Sequence, residues 1–123
     1  MVRFTPELLG GISARFKALA EPMRLRILDA LRRRELTVGD LVEAVGANQA
    51  NVSKHLAVLH REGFVERRKD GLHVYYRVAD PSVFDLCQVV CSSLEEHLKR
   101  ELAGLQGGAG GRERGGRRGR SGA

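Results

Sequence analysis

The stretch NQANVSKHLAVLHREGFVERRKDGL, residues 48–72, decides the fold of this chain. Asn48 offers a side-chain oxygen to an orphan amide of a first helical turn, and Gly63 tolerates the left-handed conformation that stops a helix. Between those two signals Val52, Leu56 and Leu59 recur at helical spacing, so one face packs. Gln49, Asn51, Ser53, Lys54 and Arg61 lie beside or opposite that stripe. Amides, a hydroxyl and a lysine at the amino end of a helix can hydrogen-bond base edges or phosphate oxygens in a major groove. After Gly63 the apolar period changes to two: Val74, Tyr76 and Val78 alternate with His73, Tyr75 and Arg77. Asp70-Gly71 is a two-residue hairpin signal between this strand and the basic FVERRK segment. A groove-reading helix followed by a flanking hairpin is the expectation, with Lys69 and His73 as the hairpin's own contacts.

Upstream, Thr5-Pro6 starts a first helix with apolar residues at 8, 9, 12, 16 and 19. Pro22 opens a second helix, expected to run through Arg33 with Ile27, Leu28 and Leu31 inward. Thr37 and Asp40 form a capping-box pair for a short third helix that Gly46 ends. The tight turn from Gly46 to Asn48 has helix-turn-helix spacing. Downstream, Asp80-Pro81 punctuates the chain. From Ser82 to Leu105 the residues Phe84, Cys87, Cys91, Leu94, Leu98 and Leu105 fall at coiled-coil-like intervals. On so small a domain, the seam Phe84, Cys87, Cys91, Leu94 and Leu98 reads as a dimer interface, and two-fold symmetry implies an inverted-repeat operator in double-stranded DNA.

The motifs resemble the winged helix-turn-helix repressors of the ArsR/SmtB family from Ser13 to Leu94. In that family a Ser-Gln-x-x-Val-Ser-x-His-Leu core marks the recognition helix. Gln49, Val52, Ser53, His55 and Leu56 occupy those places here, with Asn48 for the first serine. The run ALAEPMRLRIL at 18–28, the helix exit HREGFV and the strand VYYRV are further family marks in the right order. The resemblance implies a mainly α fold with a small β-hairpin, a winged helix-turn-helix dimerising through its terminal helices. It also implies transcriptional repression relieved by an effector.

Length and charge fit that expectation. The 123 residues suffice for one domain, expected over 1–106, with a disordered Gly/Arg-rich tail over 107–123. Five arginines against Glu113 put +4 of the net +6 in that tail, so the body is only mildly basic. Specific binding must then rest on local clusters such as Arg32–Arg34 and Arg67–Lys69. The first of these equally suits a solvated helix end. A rival function, a nucleic-acid-associated module driven by the Arg/Gly tail without effector control, follows from the same composition. No uncharged run exceeds ten residues, and the amino terminus lacks a signal-peptide layout, so no membrane association and a cytoplasmic location are expected. An enzyme using Cys87 as nucleophile lacks a histidine in any recognisable activating motif, so no catalytic residues are expected.

In the resembling family a Glu-Leu-Cys-Val-Cys-Asp-Leu motif in the third helix often holds a metal or metalloid. Here the matching stretch is Glu35-Leu36-Thr37-Val38-Gly39-Asp40-Leu41, and threonine and glycine cannot replace soft thiolates. Other members bind metals between the terminal helices through an Asp-x-His pair and a later His-x-x-His or His-x-x-Glu pair. This chain has Asp85-Leu86-Cys87 and His97-Leu98-Lys99-Arg100, and an arginine is no metal donor. What remains is Cys87 and Cys91, one turn apart on the seam. They read either as an effector or redox site for a soft metal ion or oxidant, or as small apolar residues filling the seam. His55, His60 and His73 read as packing or phosphate-contacting residues.

Overall fold

The computed structural model describes residues 3–107, which divide between Val83 and Phe84 into two units. The first holds α1 (Pro6–Leu19), α2 (Pro22–Ala30), β1 (Leu36–Thr37), α3 (Val38–Val45), α4 (Gln49–Arg61), β2 (Val65–Asp70) and β3 (His73–Val78). The second is the body of α5 (Ser82–Gly107). The expected tail lies outside the described residues from 108 onward, and Gly107 itself closes α5.

Caps written in the sequence set most helix ends. Thr5 Oγ1 accepts the Leu8 amide at 3.1 Å, and Pro6 follows where its missing N–H costs nothing. Thr37 and Asp40 complete a reciprocal capping box, at 3.1 Å and 3.0 Å. Gly46, at φ +68°, ends α3 in the left-handed region, and two residues later Asn48 Oδ1 accepts the Asn51 amide at 2.8 Å to begin α4. At the far end of α4, Gly63 (φ +80°) and Phe64 donate back to His60 and Leu59, a Schellman motif. Arg15 fastens this corner to α1, donating Nε to the Glu62 carbonyl at 3.1 Å and stacking over the Phe64 ring.

The core of the first unit is aliphatic. Ile27 and Leu28 of α2, Leu41 of α3, Val52, Leu56 and Leu59 of α4 and Val65 of β2 are all essentially inaccessible. Thus α2, α3 and α4 pack on one another while α4 also leans on β2, which aims the polar edge of α4 outward.

Two features differ from the sequence expectation. Helix α2 stops at Ala30 rather than Arg33, because Leu31 is buried and its amide is shared between the Ile27 and Leu28 carbonyls, while Arg32 turns back to Asp29. That tightened end lets the chain reverse and lay Leu36 and Thr37 beside Tyr76 and Tyr75 as β1. The hairpin is therefore the larger part of a three-stranded antiparallel sheet in the order β1-β3-β2.

Candidate nucleic-acid interface

Along α4 the buried and free residues separate cleanly. Gln49, Ser53 and Lys54 are exposed, Asn51 is half-buried, and Val52, His55, Leu56 and Leu59 face the core. Asn51, Lys54 and His55 of α4 line an open groove shared with Glu21, Arg24 and Arg26 at the start of α2. The amino-terminal half of α4 thus offers amides, a hydroxyl and an ammonium across the arc that faces away from the core.

His55 belongs to a polar brace that sequence reasoning missed. Glu21 caps α2 by accepting the Met23 amide at 2.6 Å. Arg24 donates Nε to the Ala18 carbonyl at 2.6 Å and Nη2 to that of Lys17 at 3.3 Å, so it satisfies the last turn of α1. Its Nη1 lies 3.3 Å from His55 Nδ1. A guanidinium only donates, so Nδ1 accepts and the imidazole is neutral, with its proton on Nε2, 3.9 Å from Glu21 Oε1. Burial holds the imidazole below its usual pKa, Glu21 opposes that, and Arg24 and Lys54 reinforce it. The one hint in the sequence was an arginine recurring inside the apolar RLRIL run.

A pH dependence follows. With a folded value below the unfolded one, the unfolded chain takes up the proton first. This share of stability is present in full above about pH 6.5 and is lost as pH falls from there through the folded value. The melting temperature of the native chain should therefore drop more than that of His55→Gln between about pH 7.5 and pH 5, since the glutamine cannot titrate. Equal drops in the two proteins would show that His55 carries no such linkage.

The hairpin, or wing, sorts its charges by face. Val65, Arg67 and Lys69 pair with Val78, Tyr76 and Val74 on one face, and Glu66, Arg68 and Asp70 pair with Arg77, Tyr75 and His73 on the other. Lys69 and His73, both expected to contact DNA, thus stand on opposite faces near the tip. Arg68 is tied to Glu35 in a bidentate pair at 3.1 Å and 2.8 Å, reaches Asp70 at 3.5 Å and lies over the Tyr75 ring. That hydrogen bonding raises the arginine's pKa and lowers that of Glu35. Arg77 pairs with Glu66 at 2.9 Å.

Helix α5, taken by itself, carries an apolar stripe. Phe84, Cys87, Val90, Cys91, Leu94, Leu98, Leu102 and Leu105 fall within an arc of roughly 120° at 3.6 residues per turn. From Gln88 to Gln106 every residue is exposed in the single chain, Leu94 at 54% and Leu98 at 50%. Cys87 is half-buried and Cys91 exposed, both as free thiols. Among the described residues no three His, Cys, Asp or Glu side chains gather where they could hold a metal ion. Nor, among them, is any helix long and apolar enough to cross a membrane.

A helix-turn-helix core that presents a polar helix face beside the hairpin wing of a three-stranded sheet defines a winged helix-turn-helix DNA-binding protein. Residues 21–67 match the family model for bacterial regulatory proteins of the arsR family. An uncharacterised HTH-type transcriptional regulator of Mycobacterium tuberculosis, Rv0081, is 40% identical over 92 residues, 74% of this chain and 81% of that protein. Its crystal structure superposes with a TM-score of 0.70 at 36% identity, covering 81% of this chain and 100% of the other. The homodimeric winged helix-turn-helix DNA-binding domain of Mb0332 from Mycobacterium bovis gives 0.69 at 35% identity, covering 81% and 95%. A transcriptional repressor SmtB homolog of Synechocystis is 42% identical over 81 residues, 66% of this chain and 61% of that protein. The chain belongs to the arsR family, whose members are DNA-binding transcriptional regulators and not enzymes.

Proposed function

We propose that the protein is a homodimeric repressor that holds an inverted-repeat operator with two copies of α4 and is released by an effector. The carrying observation is the exposed row of Gln49, Ser53 and Lys54, with half-buried Asn51 beside it, on a helix whose opposite face is locked into the core. Gln49 and Asn51 read base edges, Ser53 and Lys54 hold the backbone beside them, and Lys69 extends the contact from the wing, whereas His73 stands on the opposite, carboxylate-rich face of the hairpin. The apolar stripe of α5, including Phe84, Cys87, Cys91, Leu94 and Leu98, joins the protomers, supported by its exposure in the single chain. Domain assignment follows function: residues 1–106 bind DNA and dimerise.

For the effector we take a thiol-reactive oxidant or soft metal ion acting at Cys87 and Cys91. The two lie one turn apart on the stripe, so that in the proposed dimer two sulfurs from each protomer would face the shared axis. The alternative Cys-x-Cys position in α3 holds Thr37 and Gly39, which provide no thiolate donor.

Operator selection from a random duplex pool tests the reading. At the selected site Gln49→Ala or Asn51→Ala should each cost on the order of 1–3 kcal/mol and relax the base preference at one position. Unchanged affinity in both variants would remove α4 from the recognition role, and equal retention of all nucleic acids would favour binding driven by the Arg/Gly segment. Repeating the titration with peroxide or zinc on the native and Cys87→Ser, Cys91→Ser proteins separates a thiol response from a packing role.

A further inference from the structure

We infer that the wing divides the work of its basic residues between two faces. Arg67 and Lys69 contact DNA phosphates, whereas Arg68, clamped by Glu35, is a positioning residue that fixes the wing against β1. The inference rests on the DNA-binding reading above and deepens it. In sequence, Arg67, Arg68 and Lys69 form one cluster, and all three are exposed. The register breaks the cluster apart, because adjacent residues of a strand point to opposite faces.

The face that carries Arg68 is already neutralised. Arg68 and Arg77 meet three carboxylates there, Glu35, Asp70 and Glu66, through ion pairs at 2.8 Å, 3.5 Å and 2.9 Å. For Arg68 to hold a phosphate it must surrender a bidentate carboxylate and its place over the Tyr75 ring. A surface with more carboxylates than arginines also repels the backbone of DNA. On the other face, Arg67 and Lys69 stand opposite Tyr76 and Val74, and among the described residues neither has an ion-pair partner. That face continues along the sheet to Val65 and Leu36, both buried in the core. Glu35 sits immediately before β1, so its grip on Arg68 spans all three strands of the sheet, from the chain entering α3 to the middle of β2.

The slope of log affinity against log salt separates a phosphate contact from a positioning role, since only a lost contact changes the number of counterions released. With the full chain and a random-sequence duplex, Arg67→Gln and Lys69→Gln should each lower the slope by up to about 0.9. Arg68→Gln and Glu35→Gln should weaken binding by about two- to fivefold, the worth of an exposed pair, with the slope of the native protein kept. The charge-exchanged protein, Glu35→Arg with Arg68→Glu, should recover affinity relative to Arg68→Glu alone. A slope reduced by Arg68→Gln as much as by Arg67→Gln, or no recovery on exchange, overturns the division of roles. A native protein that shows no salt-dependent DNA binding at all overturns the DNA-binding reading instead, so the two failures are distinguishable.

Discussion

Leu56→Ala is expected to remove about 2–5 kcal/mol of folding stability, measured as a shift of the urea midpoint at constant slope. Leu56 lies on the inward face of α4 with 0% of its surface exposed, amid a core that also buries Ile27, Leu41, Val52, Leu59 and Val65. Deleting its branched end leaves a cavity, since these neighbours belong to three helices and a strand that cannot close in together. DNA binding should fall with stability, because the same contacts aim the polar edge of α4. Leu72→Ala is the matching control: Leu72 sits at the hairpin tip with 100% of its surface exposed, and its loss should change stability by less than about 0.5 kcal/mol. Similar costs for the two variants would refute the packing described for α4.

Leu94→Asp should turn the dimer into a monomer and lower operator affinity on the order of a hundredfold or more, because binding of the second half-site ceases to be intramolecular. Leu94 lies in the middle of the α5 stripe, flanked one turn away by Val90, Cys91 and Leu98. In a dimer joined there, the new carboxylate would be buried against apolar partners without a counter-charge. Glu96→Lys, on the opposite side of α5, should leave both the mass in solution and operator binding intact. Sedimentation that finds Leu94→Asp still dimeric would move the interface off α5.

The two variants probe different kinds of information. The inward face of α4 and the stripe of α5 were readable from spacing alone, since a helix repeats every 3.6 residues whatever surrounds it. Asn48, the Thr37–Asp40 box and Gly63 are equally local signals: each acts within a few residues, so its chemistry is complete in the sequence around it. The family marks added order and function to these elements, and the wing followed from alternation around Asp70-Gly71.

The sequence by itself thus determined the helices from Thr5 to Gly63, the hairpin and the candidate reading edge of Gln49, Asn51, Ser53 and Lys54. Tertiary structure alone decided which charges are spent. Arg24 meets His55 across 31 residues and Arg68 meets Glu35 across 33, and no local pattern tells which distant residue either arginine will meet. It also ended α2 at Ala30 and recruited Leu36 and Thr37 as a third strand, an arrangement in which Leu31 and Leu36 are both buried. Periodicity and capping depend on neighbours along the chain, whereas ion pairing and strand recruitment depend on neighbours in space, and only folding brings those together.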